Sequence, residues 1–204
     1  MNISTSDPIE KAKAIFQEHG GMLRTREAIK ARIHPRTLYV MWKAGVVEQI
    51  SRGVYRLADL PPLSNPDLVA VAKRIPDGVI CLISALAYHE ITTQIPHEVH
   101  IALAEDSRPP RLDYPPLRIF WFRGSAFTEG IESHSIDNVP VRIYCPEKTL
   151  ADCFKYRNKI GLDIAMEALR LYRHRKGFNV DKVMHYARIC RVGKVMRPYV
   201  EGVL

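Results

Sequence analysis

The chain has 204 residues, 47% of them hydrophobic, enough to bury a sizeable core in one or two domains. Its longest apolar runs fall well short of the roughly 18 residues that cross a bilayer, and the N-terminal MNISTSDPIEKAK lacks the apolar core of a signal peptide. The net charge of +8 is uneven: residues 1–58 carry ten Lys/Arg against five Asp/Glu, residues 59–154 eight against 13, and residues 155–198 twelve against three. Basic ends around an acidic middle point to contact with a polyanion at the ends and to another task between them.

From the N-terminus, Asp7-Pro8 is a good cap and first-turn pair, and Ile9, Ala12 and Phe16 recur at helical spacing up to Gly20-Gly21. Thr25 then precedes a short helix over Arg26–Arg32, with Ala28, Ile29 and Ile33 as its apolar positions. Pro35 and Gly45 bracket a third helix. At about 100° per residue, Leu38, Met41 and Trp42 fall on one side of it, with Arg36, Tyr39, Val40 and Lys43 on the other. Two β-like runs follow, Val46–Ile50 and Val54–Leu57, joined by Ser51-Arg52-Gly53. Helix, turn, helix and basic-tipped hairpin, in that order, predict a winged helix-turn-helix over residues 1–58. Its third helix would read a major groove, and Arg52 would reach a phosphate or the minor groove.

Three prolines between Pro61 and Pro66 mark a linker over 59–66. The remainder, 67–204, opens with a short helix, Asp67–Arg74, and a β-like run, Val79–Ile83. Ser84 then caps a helix over Ala85–Glu90. Glu98–Leu103 alternates as a half-buried strand does, with His100 on the exposed phase. Ser107–Pro116 is a polar loop with four prolines and two arginines. Leu117–Phe122, Ile131–Ile136 and Val139–Tyr144 read as strands, the last two joined by the tight turn Asp137-Asn138. After Pro146 the pattern is helical, with apolar stripes on Leu162, Ala165, Met166, Leu169 and Tyr172, then on Val183, Tyr186, Ala187 and Cys190, and then on Met196, Tyr199, Val200 and Val203. The expected fold class is α+β: a winged helix-turn-helix, then a mixed α/β domain ending in several helices.

Catalytic chemistry finds little support. Ser84 precedes His89 by five residues, but no G-x-S-x-G elbow surrounds it. His89, His97 and His100 match no metal-ligand spacing. Glu147-Lys148 follows a strand as a nuclease carboxylate and lysine do, yet no second carboxylate is placed beside them to hold a metal. The four cysteines are widely separated and form no CxxC, so they read as reduced core residues of a cytoplasmic protein. Arg170, Arg173, Arg175 and Lys176 crowd the end of a helix that begins with Asp163 and Glu167. A helix dipole and an anion site explain that order equally well. No enzyme, cofactor or metal is expected.

The runs RTLYVMWKAGVVEQISRGVYRL, RIPDGVICLISALAYHEITTQIPHEVHIAL, VRIYCPEKTLADCFKYRNKIGLD and YARICRVGKVMRPYVEGVL together resemble the AbiEi family of bacterial antitoxins, from about Lys11 to the end. The resemblance implies a winged-helix DNA-binding domain joined to a C-terminal antitoxicity domain. Such proteins repress their own promoters at inverted repeats and oppose an AbiEii-type nucleotidyltransferase toxin in abortive infection by phage. On this sequence the recognition-helix role falls on Arg36, Thr37, Tyr39 and Lys43, and the wing-tip role on Arg52. Candidates for toxin antagonism are Ser84, His89, Thr93, Lys148, Lys155, Arg157 and Lys159. The implied partners are double-stranded promoter DNA and the cognate toxin, opposed by contact or indirectly, with no membrane partner. Inverted repeats admit a dimer on DNA, but the sequence does not fix the oligomeric state. The alternative is a stand-alone winged-helix repressor whose C-terminal domain binds an effector or dimerises.

Overall fold

The computed structural model describes residues 7–204. Helix α1, Pro8–Glu18, starts where Asp7 accepts a hydrogen bond from Ile9 N at 3.0 Å, and it buries Ala12 and Phe16. Strand β1, Met22–Arg24, has no counterpart in the sequence pattern, because three residues are too few to show a period. Helix α2 runs over Thr25–Lys30, one residue earlier than expected. Arg24 rather than Thr25 is its N-cap, and the Glu27 carboxylate accepts from Arg24 N at 2.8 Å. Helix α3, Pro35–Lys43, is capped by His34, whose Nδ1 accepts from Arg36 N at 3.2 Å. Strands β2, Val47–Ser51, and β3, Val54–Leu57, form the wing, and β1 joins them in an antiparallel sheet of order β1-β3-β2. Phe16, Leu23, Ala28, Ile33, Leu38, Met41, Val47 and Leu57 close the small core of this winged helix.

The proline-rich stretch ends in a helix start. Asn65 accepts from Leu68 N at 3.3 Å and Pro66 occupies the first turn of α4, Pro66–Arg74. Strand β4 is only Val79–Ile80, and α5 spans Leu82–Tyr88. Then come β5, Val99–Ala104; β6, Leu117–Phe122; α6, Ser125–Thr128; β7, Ile131–Ile136; and β8, Val139–Tyr144. Helices α7, Pro146–Lys155; α8, Arg157–Ile160; α9, Leu162–Arg173; α10, Val180–Ile189; and α11, Gly193–Glu201, complete the chain. The five-stranded sheet has the order β6-β5-β4-β8-β7, with β5–β6 and β4–β8 parallel and the other pairs antiparallel. Asp137 and Asn138, both at positive φ, make the β7–β8 turn, a conformation that short polar side chains tolerate.

Both faces of this sheet are covered. On one, Val79, Ala102, Phe120, Phe122 and Tyr144 pack against α5, α7, α9, α10 and α11. On the other, Ile80, Val99, Ile101, Leu103, Val141 and Ile143 pack with Leu68, Val69 and Val71 of α4, and Met22 and Val54 of the winged helix join the same cluster. Double coverage corrects two sequence expectations. His100 lies inside on β5 with 3% of its surface exposed, since the alternation that marks one buried face does not reveal that the second is covered too. The apolar run Val79–Ile83 is strand only at Val79 and Ile80, because Cys81 caps α5 and Leu82 and Ile83 already belong to that helix. Ser84 therefore caps nothing. It sits inside α5, where its hydroxyl accepts from His100 N at 2.9 Å and donates to Glu98 O at 3.4 Å.

Candidate nucleic-acid interface

Arg36, Tyr39, Val40 and Lys43 are exposed along α3, and Thr37 is half-buried. Leu38 and Met41 face inward, as their spacing requires. Trp42 does not follow them: it lies at the edge of the stripe with 37% of its surface exposed. Its ring meets Tyr39 edge-on at 6.0 Å between centroids, and Lys43 Nζ stands 4.8 Å from the Trp42 ring and 5.8 Å from that of Tyr39. The free face of α3 thus carries a guanidinium, an ammonium held over two aromatic rings, and a phenol. Together they supply donors for base edges and phosphates and flat apolar surface for sugars and thymine methyls. The sequence placed Trp42 on the buried side because its helical angle is at the border, and only the neighbouring elements decide a border position.

Arg52, at the wing turn, is 82% exposed and points away from the core. The turn itself is fixed: Gly53 O accepts from Thr25 N at 2.9 Å, Gly53 has φ +75°, and a β-carbon there would lie 3.7 Å from the Arg74 guanidinium. Behind the wing, Arg56 is buried, pairs with Glu48 at 2.7 Å and donates to Pro61 O. The helix face and the wing tip are therefore held on one rigid unit, which is what groove reading needs.

The antagonism candidates in the second unit scatter. Ser84 is buried as described, and Lys148 is wholly buried, so neither offers a surface to a partner protein. Lys148 Nζ pairs with Asp152 at 2.5 Å and stands 4.0 Å from the Tyr144 ring centroid. His89 is half-buried at the end of α5, with Nε2 2.7 Å from Tyr144 O, and burial holds its pKa below the usual imidazole range. Thr93 donates to Glu167 at 2.5 Å, beside Thr92 at 2.9 Å, so these hydroxyls tie the loop after α5 to α9. Arg157 is half-buried and donates to Phe154 O at 2.8 Å. Only Lys155 and Lys159 come together on the surface, with their ammonium groups 5.8 and 5.6 Å from the Tyr156 ring centroid.

Glu147 is engaged by Tyr172 OH at 2.8 Å and Lys182 Nζ at 3.2 Å. Among the described residues, no group of three or more His, Cys, Asp or Glu side chains is placed to hold a metal ion. No helix among them is long and apolar enough to cross a membrane. All four cysteines are free and buried.

Residues 10–58 match the model of a family described as "Transcriptional regulator, AbiEi antitoxin". No curated protein matches the chain. Among solved structures, the chain is similar to the RV2827C protein from Mycobacterium tuberculosis, with a TM-score of 0.56 at 12% identity, over 94% of this chain and 79% of that one. At that identity the likeness shows a shared arrangement of winged helix and α/β unit and nothing of their partners. The segment that the family model matches is the one that carries α3 and the wing. Over that segment, about a quarter of its length, the chain is similar to AbiEi-type antitoxin domains.

Proposed function

We propose that the chain is the antitoxin of a toxin–antitoxin pair and the repressor of its own operon. Its α3 enters the major groove at inverted repeats, Arg36, Thr37, Tyr39 and Lys43 meet bases and phosphates, and Arg52 meets the flanking backbone. The second unit opposes an AbiEii-type nucleotidyltransferase encoded beside it. The observation that carries this reading is the exposed face of α3, with Lys43 poised over Tyr39 and Trp42, inside the segment that matches the antitoxin family. The chain acts by binding, without catalysis, in the cytoplasm, where its buried thiols stay reduced. On DNA it is a dimer whose two-fold axis mirrors the repeat.

The test is a mobility shift on the promoter upstream of the chain's own reading frame, run at several salt concentrations. Replacing Arg36 and Lys43 together with Ala abolishes specific binding and leaves the fold intact, because both side chains are exposed. Arg52→Ala weakens binding to all sequences and lowers the salt slope by about 0.9, the loss of one phosphate contact. Normal promoter binding by the double variant removes α3 from the groove and overturns the reading. For antitoxicity, co-expression with the neighbouring toxin restores growth, and the full chain's failure to do so overturns that half.

A further inference from the structure

The wing tip does not stand alone. The loop between β5 and β6 comes up beside it from the second unit, with Arg52 Nη1 3.8 Å from Asp113 Oδ2 and Arg74 Nη2 donating to Arg111 O at 3.4 Å. Arg74 also backs the wing turn, 3.7 Å from where a side chain on Gly53 would begin. The loop is anchored, because Leu112 packs into the sheet cluster and Pro115 is buried, while Arg111, Asp113 and Tyr114 between and beside those anchors are exposed. Two projections from different units, the wing hairpin and the connection between the parallel strands β5 and β6, therefore end side by side, one tipped by Arg52 and the other carrying a guanidinium and a phenol 60% exposed.

We propose that Arg111 and Tyr114 form a second wing that contacts the DNA backbone next to Arg52, so that the DNA interface spans both units. This rests on the reading that α3 and the wing bind DNA. The chemistry is that of phosphate positioning: an exposed guanidinium and a phenol donate to phosphate oxygens without reading sequence. Asp113 fits the same placement. Its pairing with Arg52 is between two highly exposed groups and is easily exchanged for a phosphate. Once DNA is bound, that carboxylate lies close to the polyanion and repels it. Arg74 is a positioning residue, holding the loop backbone against the wing turn.

Opposite charges on one loop give a test with opposite signs. On the chain's own promoter duplex and on a random duplex alike, Arg111→Ala lowers affinity by about eightfold at 0.1 M salt and reduces the salt slope by about 0.9. Asp113→Asn raises affinity by up to about the same factor and steepens the slope. The Arg36→Ala/Lys43→Ala variant runs beside them. If it loses promoter binding while Arg111→Ala and Asp113→Asn leave affinity and slope unchanged, the second wing is refuted and the reading of α3 stands. If Arg111→Ala weakens binding with no change of slope, the loop acts only through the fold, and the inference falls equally. If the double variant binds normally, the DNA reading itself has failed.

Discussion

Lys148 and Asp152 lie one helical turn apart on α7 with neither side chain exposed, and their 2.5 Å pairing is the most enclosed ion pair among the described residues. Burial pushes the Asp152 carboxyl up and the Lys148 ammonium opposes that shift, while Cys190 Sγ donates to the other carboxylate oxygen at 3.2 Å. Removing one partner leaves a charge in a dry site, so Asp152→Ala is expected to cost about 3–5 kcal/mol, and Lys148→Met with Asp152→Leu to recover most of it. Denaturant midpoints of the three proteins check this, and an unshifted midpoint for Asp152→Ala would show that the pair contributes nothing. His100 is the second buried ionisable group with a consequence. Burial, aided by Arg118 and opposed by Glu98 at 3.6 Å, depresses its pKa from 6.5 to about 4. The unfolded chain therefore takes up a proton that the folded chain refuses. Stability is full above pH 6.5 and falls by about 3 kcal/mol as the pH drops towards 4. His89, with its pKa also lowered by burial, adds in the same direction. Chemical unfolding from pH 7 to 4 should show a shallower loss for His100→Asn than for the parent chain, and parallel curves would mean that His100 charges freely in the fold. Neither group's burial was legible in the sequence. Lys148 reads there as half of a Glu147-Lys148 pair after a strand and as a candidate for toxin contact, and His100 as the polar phase of a strand. A charge and an imidazole become interior only through the second layer of helices, which no local period encodes.

At the scale of elements, legibility followed capping chemistry. Asp7-Pro8, Pro35 and Asp137-Asn138 each fix a local dihedral or satisfy a free backbone donor, and α1, α3 and the β7–β8 hairpin lie where those residues put them, whereas Asn65-Pro66, read as the end of the linker, turned out to start α4. The wing was equally legible, because Ser51-Arg52-Gly53 interrupts two β-branched runs. Strand β1 was not, and β4 was legible only as the start of the longer β-like run Val79–Ile83, since two or three residues are bounded as strands only by pairing with distant partners: Leu23 with Tyr55, and Ile80 with both Ile101 and Ile143. Within the candidate interface, Arg36, Tyr39, Lys43 and Arg52 could be named from periodicity and turn position. Trp42 and the Arg111 loop could not, the first being a border position and the second meeting the wing through a contact, Arg52 to Asp113, across 61 residues of sequence. One junction between elements is demanding. Gly130, between α6 and β7, has φ +76°, its carbonyl accepts from Cys145 N at 2.7 Å, and a β-carbon there would come within 2.7 Å of Lys148 Cβ. Gly130→Ala thus combines left-handed strain with a clash against the backbone-proximal part of a buried side chain, and should cost about 1–3 kcal/mol. A thermal midpoint equal to that of the parent chain would show that β7 can shift away from α7 at no cost.

The whole molecule joins two units through more than the peptide that connects them. Met22 and Val54 of the winged helix share a cluster with Leu68, Val69 and Val71 of α4, Lys73 Nζ donates to Met22 O at 3.3 Å, and Ser64 N donates to Asp137 Oδ2 at 2.9 Å. Arg56, buried in the winged helix, holds the linker carbonyl of Pro61. Yet each unit also has a core that does not need the other: Phe16, Leu38 and Met41 in the first, and the helical layer against Phe120, Phe122 and Tyr144 in the second. We therefore expect residues 59–204 to fold alone but to melt below the full chain. Exposing the face that Met22 and Val54 cover costs up to about 3–6 kcal/mol, an upper estimate, because the unfolded chain already buries part of that surface. On the proposed division of labour, this fragment still protects cells from the neighbouring toxin and no longer represses the promoter. Residues 1–58 bind promoter DNA, more weakly than the full chain, because Arg111 and Tyr114 are missing beside the wing. Co-expression of each fragment with the toxin, scored for growth beside a promoter-reporter readout, separates the two activities. A soluble, folded 59–204 fragment that fails to rescue growth where the full chain succeeds would place antitoxicity in the winged helix or at its junction with α4. The shared cluster around Met22 and Val54 would then be the first surface to mutate, since it is the part of the second unit that the cut leaves uncovered.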